Sequence, residues 1–97
     1  MSFRFLPPAE TELLEGISHY AAISPELGIR FEQAVAEAVR KAVAHPERRA
    51  PRSRSIRRWL VKSFPFGIIY RASASEVLIV AVAHQRKKPE YWAGRIR

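Results

Sequence analysis

The apolar residues of this chain change their spacing once, between residues 45 and 56, and this change limits the folds open to it. Before it they recur every three or four residues, as on one face of an α-helix. After it they alternate with polar residues, as in a half-buried β-strand. A chain of 97 residues that carries both patterns has the size of one domain with one core. We therefore interpret residues 1–97 as a single α+β domain.

The first half of the chain predicts a strand followed by two helices. Alternating phenylalanines favour a strand over 2–6, and an apolar stripe favours a helix over 8–22. Glu10 and Glu12 lie near the positive end of the dipole of that helix. Ser24, followed by proline, is typical of a helix start, and a second stripe continues to about Ala44. Two helices with so short a connection are expected to form an antiparallel hairpin.

The second half predicts three strands in a row. A polar, basic loop over 47–55 comes first, and alternation with turn residues then favours strands over 56–62, 66–72 and 77–84. The basic tail that follows is expected to form at most one helical turn after Pro89. The predicted order is β-α-α-β-β-β: a helical hairpin packed on one face of a four-stranded, mainly antiparallel sheet. We expect the other face to be partly open, with basic residues on or around it.

Charge is the first indication of function. The net charge is +8, but residues 1–39 carry two basic and six acidic side chains, whereas residues 40–97 carry fifteen basic and three acidic ones. A half this basic is typical of a protein that binds a polyanion, either nucleic acid or an acidic protein. A surface selected for solubility is the alternative.

The sequence lacks the residues that several classes of function require. Without cysteine there are no disulfides, no thiolate nucleophile and no cysteine-ligated metal. His19, His45 and His84 have no metal-ligand spacing, and no glycine-rich phosphate loop or nucleophile elbow occurs. We expect no metal and no cofactor. With neither a long apolar run nor a signal-peptide pattern, we expect a cytoplasmic protein that does not contact membranes.

Basic residues of the loop and of the strand after it are the first candidates for a binding site. Arginine holds phosphate through paired hydrogen bonds, and nearby serine hydroxyls add more. A mobile, solvated loop is the alternative. The candidates are Arg48, Arg49, Arg52, Arg54, Arg57, Arg58 and Lys62, with Ser53 and Ser55.

The end of the last strand supplies a second set of candidates, which includes Lys87 and Lys88. Cleavage of a phosphodiester by an internal 2′-hydroxyl needs a proton acceptor, a cation for the phosphorane and a donor for the leaving oxygen. His84 or Tyr91, Arg86 and Lys62 are residues of the right types. Alternatively, His84 caps the sheet, and Tyr91 and Trp92 seal the edge of the core.

Arg71, which projects opposite Tyr70, is a third candidate. It either reaches the open face of the sheet or extends along its edge into solvent.

Three segments of the second half resemble the RelE/ParE toxins of type II toxin–antitoxin systems. They are IRRWLVK at 56–62, FPFGIIYR at 64–71 and VAVAHQRKKPEYW at 80–92. The resemblance spans nearly the whole chain and implies the same β-α-α-β-β-β fold. It also implies growth inhibition that a cognate antitoxin holds in check, and a toxin–antitoxin hetero-oligomer.

The two branches of this family imply different chemistry. RelE-like members cut messenger RNA on the ribosome without a metal, and that pattern would make Arg71, Arg86, Tyr91 and Lys62 catalytic. ParE-like members poison DNA gyrase and need no catalytic residues. The segments PFGIIYR and AHQRKKP are more similar to the ParE-like and unassigned branches, and we therefore favour the ParE-like one. The chain is an enzyme only under the RelE-like interpretation.

A nonenzymatic nucleic-acid-binding or regulatory module is the remaining hypothesis, in which the basic half only holds phosphates. Under the toxin hypotheses, we expect the antitoxin to be an acidic, partly disordered chain that folds over the basic surface or the helical hairpin.

Overall fold

A computed structural model describes residues 2–48 and 56–96, and its elements follow the predicted order. The predicted α+β fold is confirmed, and no element boundary differs from its prediction by more than two residues. Within the described ranges, no helix combines the length and the apolar character that a membrane span requires. The elements are β1 Ser2–Phe5, α1 Pro7–Ile23, α2 Pro25–Ala44, β2 Ile56–Leu60, β3 Phe66–Ala72, β4 Glu76–His84 and a 3₁₀ turn Ala93–Ile96.

A single residue, Ser24, joins the two helices. Its backbone N–H donates to the Tyr20 carbonyl at 3.0 Å and ends α1, and its Oγ accepts from the Leu27 N–H at 3.4 Å and begins α2. Gly28 allows the helices to approach closely, because a Cβ at this position would lie 2.8 Å from the Ala21 Cβ. The predicted antiparallel hairpin is therefore present.

The sheet has the strand order β1-β4-β3-β2. β2 pairs with β3 and β3 with β4 in antiparallel fashion, whereas β1 lies parallel to β4 at one edge. The prediction of a mainly antiparallel sheet is confirmed. Because β1 and β2 are the edge strands, each has one edge that no other strand of the sheet covers.

The helices cover one face of the sheet and form the main core with it. Phe31 and Val35 of α2 are buried against Ile68, Tyr70 and other apolar residues of that face. The Tyr70 hydroxyl donates to the Pro46 carbonyl at 3.0 Å, which ties β3 to the chain just after α2. Helix packing and this hydrogen bond thus both attach the helices to one face of the sheet.

The second face carries a smaller apolar cluster that the C-terminal tail covers. Trp92 is 4% exposed and packs on this face, and Tyr91, Ala93 and Ile96 pack around it. The tail covers the apolar residues of β3 and β4 on this side, whereas Arg71 on the same face is exposed, so the face is only partly covered. The apolar residues of the cluster in the sheet are Ile56, Ile69, Leu78, Val80, Ala81 and Ala83.

Candidate functional site at one end of the sheet

The end of β4 and the turn between β2 and β3 meet at one end of the sheet. Phe66 pairs with His84 in the β3–β4 ladder, and the Gln85 N–H donates to the Pro65 carbonyl at 2.9 Å. This contact brings Lys62, which precedes the turn, to the same end of the molecule as Arg86. Both side chains are exposed.

A small cleft of ≈ 100 Å³ opens at this end, between β2 and the tail. Its walls combine apolar residues of the second face with polar residues of the tail. Three of the basic residues named as candidates from the sequence line the cleft, together with one acidic residue, Glu90. The lining residues are Arg58, Ile69, Ala83, His84, Gln85, Lys87, Lys88, Pro89, Glu90, Tyr91 and Trp92.

Arg58 is the cation most constrained by its surroundings. It pairs with Ile69 and lies on the second face, with its side chain against the backbone of Gly67. The Arg58 Nε is buried and has no hydrogen-bond partner among the described residues. A buried donor without an acceptor costs about 1–3 kcal/mol, so the position of Arg58 in the cleft is held at a cost to stability.

His84 closes the strand end of the cleft. Its Nδ1 accepts a hydrogen bond from the Arg86 N–H at 3.0 Å, and its ring packs edge-on against Phe66 with centroids 5.0 Å apart. The His84 carbonyl accepts from the Lys87 N–H at 3.0 Å, which turns the tail sharply after β4. His84 therefore has the capping contacts of the alternative interpretation, and it also lines the cleft.

The basic residues of the tail differ in position. Lys87 and Lys88 line the cleft, and the Lys87 Nζ lies 5.6 Å from the centroid of the Tyr91 ring. Arg86 is exposed and lies outside the lining. The structure thus groups Arg58 with the two lysines and leaves Arg86 beside them.

Two other candidates lie elsewhere. Arg57 is half-buried on the helix-side face of β2, opposite to Arg58. Arg71 is exposed and pairs with Ile56 and Leu78, at the far end of β3.

Of the loop candidates, Arg48 is exposed beyond α2. The loop candidates outside the described residues are Arg49, Arg52, Ser53, Arg54 and Ser55.

The four residues that a RelE-like activity would require are not brought together. Lys62 and Arg86 lie at the cleft end of the sheet, but Arg71 is five residues along β3 from Phe66, about 17 Å at the rise of an extended strand. Tyr91 lines the cleft with its ring, but its hydroxyl donates to Glu12 Oε2 at 2.7 Å.

Glu12 is the centre of a polar network that the sequence did not reveal. Arg95 donates to both of its carboxylate oxygens, each at 2.9 Å, and the Val82 N–H donates to its Oε1 at 3.0 Å. The Arg95 guanidinium also lies 5.1 Å from the centroid of the Tyr91 ring. In the sequence, Glu12 has only a favourable place in the helix dipole, and no pattern marks a role for Arg95. No pattern in the chain links two residues 83 positions apart.

The network shifts the pKa of each of its members. Burial alone would raise the pKa of Glu12, but the hydrogen bonds from Arg95, Tyr91 and Val82 outweigh it, so the pKa is lowered. Burial, and the hydrogen bond given to the Glu12 carboxylate, raise the pKa of Tyr91. The hydrogen bond to Glu12 raises the pKa of Arg95. Tyr91 is therefore protonated, and Glu12 and Arg95 charged, at neutral pH.

A second concave surface lies on the other side of the molecule, between β1 and the helices. This apolar groove has a volume of ≈ 310 Å³ and carries one acidic and one basic residue at its rim. Phe3, half exposed on the edge strand, forms part of it. The lining residues are Phe3, Phe5, Leu13, Glu32, Val35, Ala36, Val39 and Arg40.

Comparison with solved structures gives the class of the fold. The chain is similar to a structure reported as the chromosomal ParDE toxin–antitoxin system from P. aeruginosa, with a TM-score of 0.74 and 24% sequence identity. The match covers 87% of this chain and 95% of that one. At this identity the likeness shows a shared fold, that of the RelE/ParE toxins. No curated protein matches the chain.

A family model makes the assignment more specific. The model described as the ParE toxin of the type II toxin–antitoxin system, parDE, matches residues 3–89. This chain belongs to that ParE toxin family. The match includes Arg58 and the two cleft lysines, but it ends before Tyr91 and Arg95.

Proposed function

We propose that this ParE-family chain inhibits growth in the cytoplasm by binding and poisoning DNA gyrase, without cutting RNA. Gyrase is the target that the resemblance to ParE-like toxins implies. The observation that supports it best is the placement of Arg71 and Tyr91, which separates the residues that a RelE-like ribonuclease would use together.

Two features of these residues argue against strand cleavage. A proton acceptor must be within hydrogen-bond reach of the 2′-hydroxyl, and a group of suitable pKa must accept the proton. The Tyr91 hydroxyl is itself a donor to Glu12, and its raised pKa keeps it protonated. Arg71 is too far along β3 to stabilise the same phosphorane. A chain that only binds its target needs neither a proton acceptor nor a cation placed at the phosphorane.

The cleft at Arg58 is the part of the molecule that we assign to the target. Arg58 lines this cleft together with Lys87 and Lys88 of the tail. Anionic groups of the target would be attracted by these three cations.

The antitoxin is proposed to be an acidic chain, partly disordered until it binds. The net charge of +8 favours an acidic partner, and the apolar groove beside Phe3 and Leu13 fits the apolar face of a folding segment. Exposed Leu14 extends apolar surface along α1. The resulting complex is a hetero-oligomer.

Induced expression tests the proposal, with and without the neighbouring gene. We expect growth arrest with double-strand DNA breaks and no ribosome-dependent RNA cleavage, relieved when the neighbouring gene is co-expressed. Arg58→Gln should abolish the arrest, whereas Arg71→Gln, the matched change at the far end of the same face, should not. RNA cleavage that disappears in the Arg71 and Tyr91→Phe variants would contradict the proposal.

A further inference from the structure

The free edge of β4 is completed by two side chains in place of a strand. β1 pairs with β4 only as far as Phe5 and Ile79, and the Leu6 N–H then donates to the Ile79 carbonyl at 2.9 Å. Beyond this point the Val82 N–H donates to Glu12 Oε1, and the Val80 carbonyl accepts from Arg95 Nη1 at 3.0 Å. α1 and the tail thus satisfy backbone groups that the short β1 leaves without a partner.

The same two side chains bind each other in a bidentate pair. Nη1 of Arg95 donates to Oε1 of Glu12 and Nη2 donates to Oε2, the paired geometry of the strongest charge-assisted hydrogen bonds. The side chains are only 20% and 16% exposed, so solvent screens this pair less than a surface ion pair. The Tyr91 hydroxyl adds a third bond to the carboxylate.

This network is the polar attachment of the tail to the rest of the fold. Trp92 supplies the apolar attachment, buried on the second face between Tyr91 and Arg95 in sequence. The stretch from Lys87 to Trp92, which lies just before and within the attached segment, forms one wall of the cleft. The attachment of the tail therefore determines the positions of Lys87 and Lys88 relative to Arg58.

We propose that Glu12 is a positioning residue for the cleft: it holds Arg95 and Tyr91, and through them keeps the tail in place as the wall that faces Arg58. Glu12 does not itself line the cleft, so it acts only through the tail. That the cleft serves growth inhibition rests on the proposed function. That Glu12 attaches the tail to the rest of the fold does not depend on the proposed function.

Hydrogen exchange followed by NMR tests the fastening directly. In Glu12→Ala, the amide of Val82 and the amides of 87–96 should exchange at least about tenfold faster, the scale expected from losing a charged hydrogen bond. The indole signal of Trp92 should shift, while that of Trp59, buried on the helix-side face, should not. Unchanged protection of the tail would overturn the proposal.

Graded variants keep the test decisive if Glu12→Ala does not fold. Arg95→Lys keeps the charge and loses the bidentate geometry, and it should loosen the tail less than Arg95→Ala. Glu15→Ala, an exposed change on the same helix, is the control and should leave exchange as in the wild type. If the tail amides exchange at the same rate in all of these variants, the proposal would also be overturned.

Growth inhibition then separates the two proposals. Glu12→Ala should weaken growth arrest if the tail wall serves the cleft, and Glu15→Ala should not. A released tail with full growth arrest would show that the cleft does not need its wall, and would overturn the positioning role. A wild-type chain that does not inhibit growth would contradict the proposed function, while the exchange data would still decide whether Glu12 fastens the tail.

Discussion

The side chain of Arg58 lies directly on the backbone of Gly67. A Cβ at residue 67 would overlap the Arg58 Nε and lie 3.0 Å from its Cγ and 3.1 Å from its Cδ. Gly67 is the second residue of the interior strand β3, and glycine within a strand ordinarily weakens it because it has no side chain to pack. Its presence is explained by the close approach of Arg58, which also places the guanidinium in the cleft.

Gly67→Ala should displace Arg58 and weaken growth inhibition without unfolding the protein. The new methyl overlaps a long side chain, so we expect a loss of about 1–3 kcal/mol in the free energy of unfolding. Gly94→Ala is the control, because a Cβ there meets nothing within 4 Å. Denaturant titration and growth assays of both variants check this, and an inert Gly67→Ala would contradict the assignment of Arg58 to the target.

Tyr91→Phe should lower stability but leave most of the growth inhibition. It removes the hydroxyl bond to Glu12, which we expect to cost about 1–2 kcal/mol at this partly buried position. The pair of Glu12 and Arg95 still holds the tail. Thermal unfolding and growth arrest measured on the same variant separate the two effects. Complete loss of toxicity with an intact fold would favour a catalytic tyrosine instead.

Acid should weaken the tail attachment at a pH set by Glu12. Its pKa is lowered in the folded protein from an ordinary value of 4.5, so its contribution is fully present above about pH 4.5 and is lost as the pH falls through the folded pKa. The difference in Tm between the wild type and Glu12→Gln should be constant near neutral pH and shrink below about pH 4.5. A difference that grows on acidification would contradict this account.

Tyr70→Phe should destabilise the fold by about 1 kcal/mol, because it removes a hydrogen bond to the Pro46 carbonyl and leaves that carbonyl without the hydroxyl. Tyr20→Phe is a suitable control, since the Tyr20 ring packs against Phe31 and Phe64 without a comparable hydroxyl bond among the described residues. Denaturant midpoints of the two variants provide the comparison. Equal midpoints would mean that the Pro46 contact contributes nothing.

The fold was predictable because its signals are local. The alternation and flanking turns gave β3 with its observed bounds, and His45–Pro46 predicted the end of α2 at Ala44. The prediction for β2 extended two residues too far, to Lys62. The chain leaves the ladder there to form the turn with Ser63 at positive φ, which alternation alone does not reveal.

The site was predictable only in part, because it depends on contacts between distant residues. Residue type and strand position named Arg58, Lys87 and Lys88 as candidates one by one, and the structure places all three in the lining of one cleft. Arg71 is also a strand arginine, but its register opposite Leu78 places it at the other end of the sheet. The pairing of Glu12 with Arg95 depends on how the tail returns across the sheet, and local pattern contains no information about that return.

Purified protein and purified DNA gyrase provide the most direct test of the proposed target. The wild type and Arg71→Gln should stabilise the covalent gyrase–DNA cleavage complex and inhibit supercoiling, and Arg58→Gln should do neither. Translating ribosomes incubated with the same preparations should show no cleavage of messenger RNA. Gyrase unaffected by the wild type, together with RNA cleavage on the ribosome, would contradict the account.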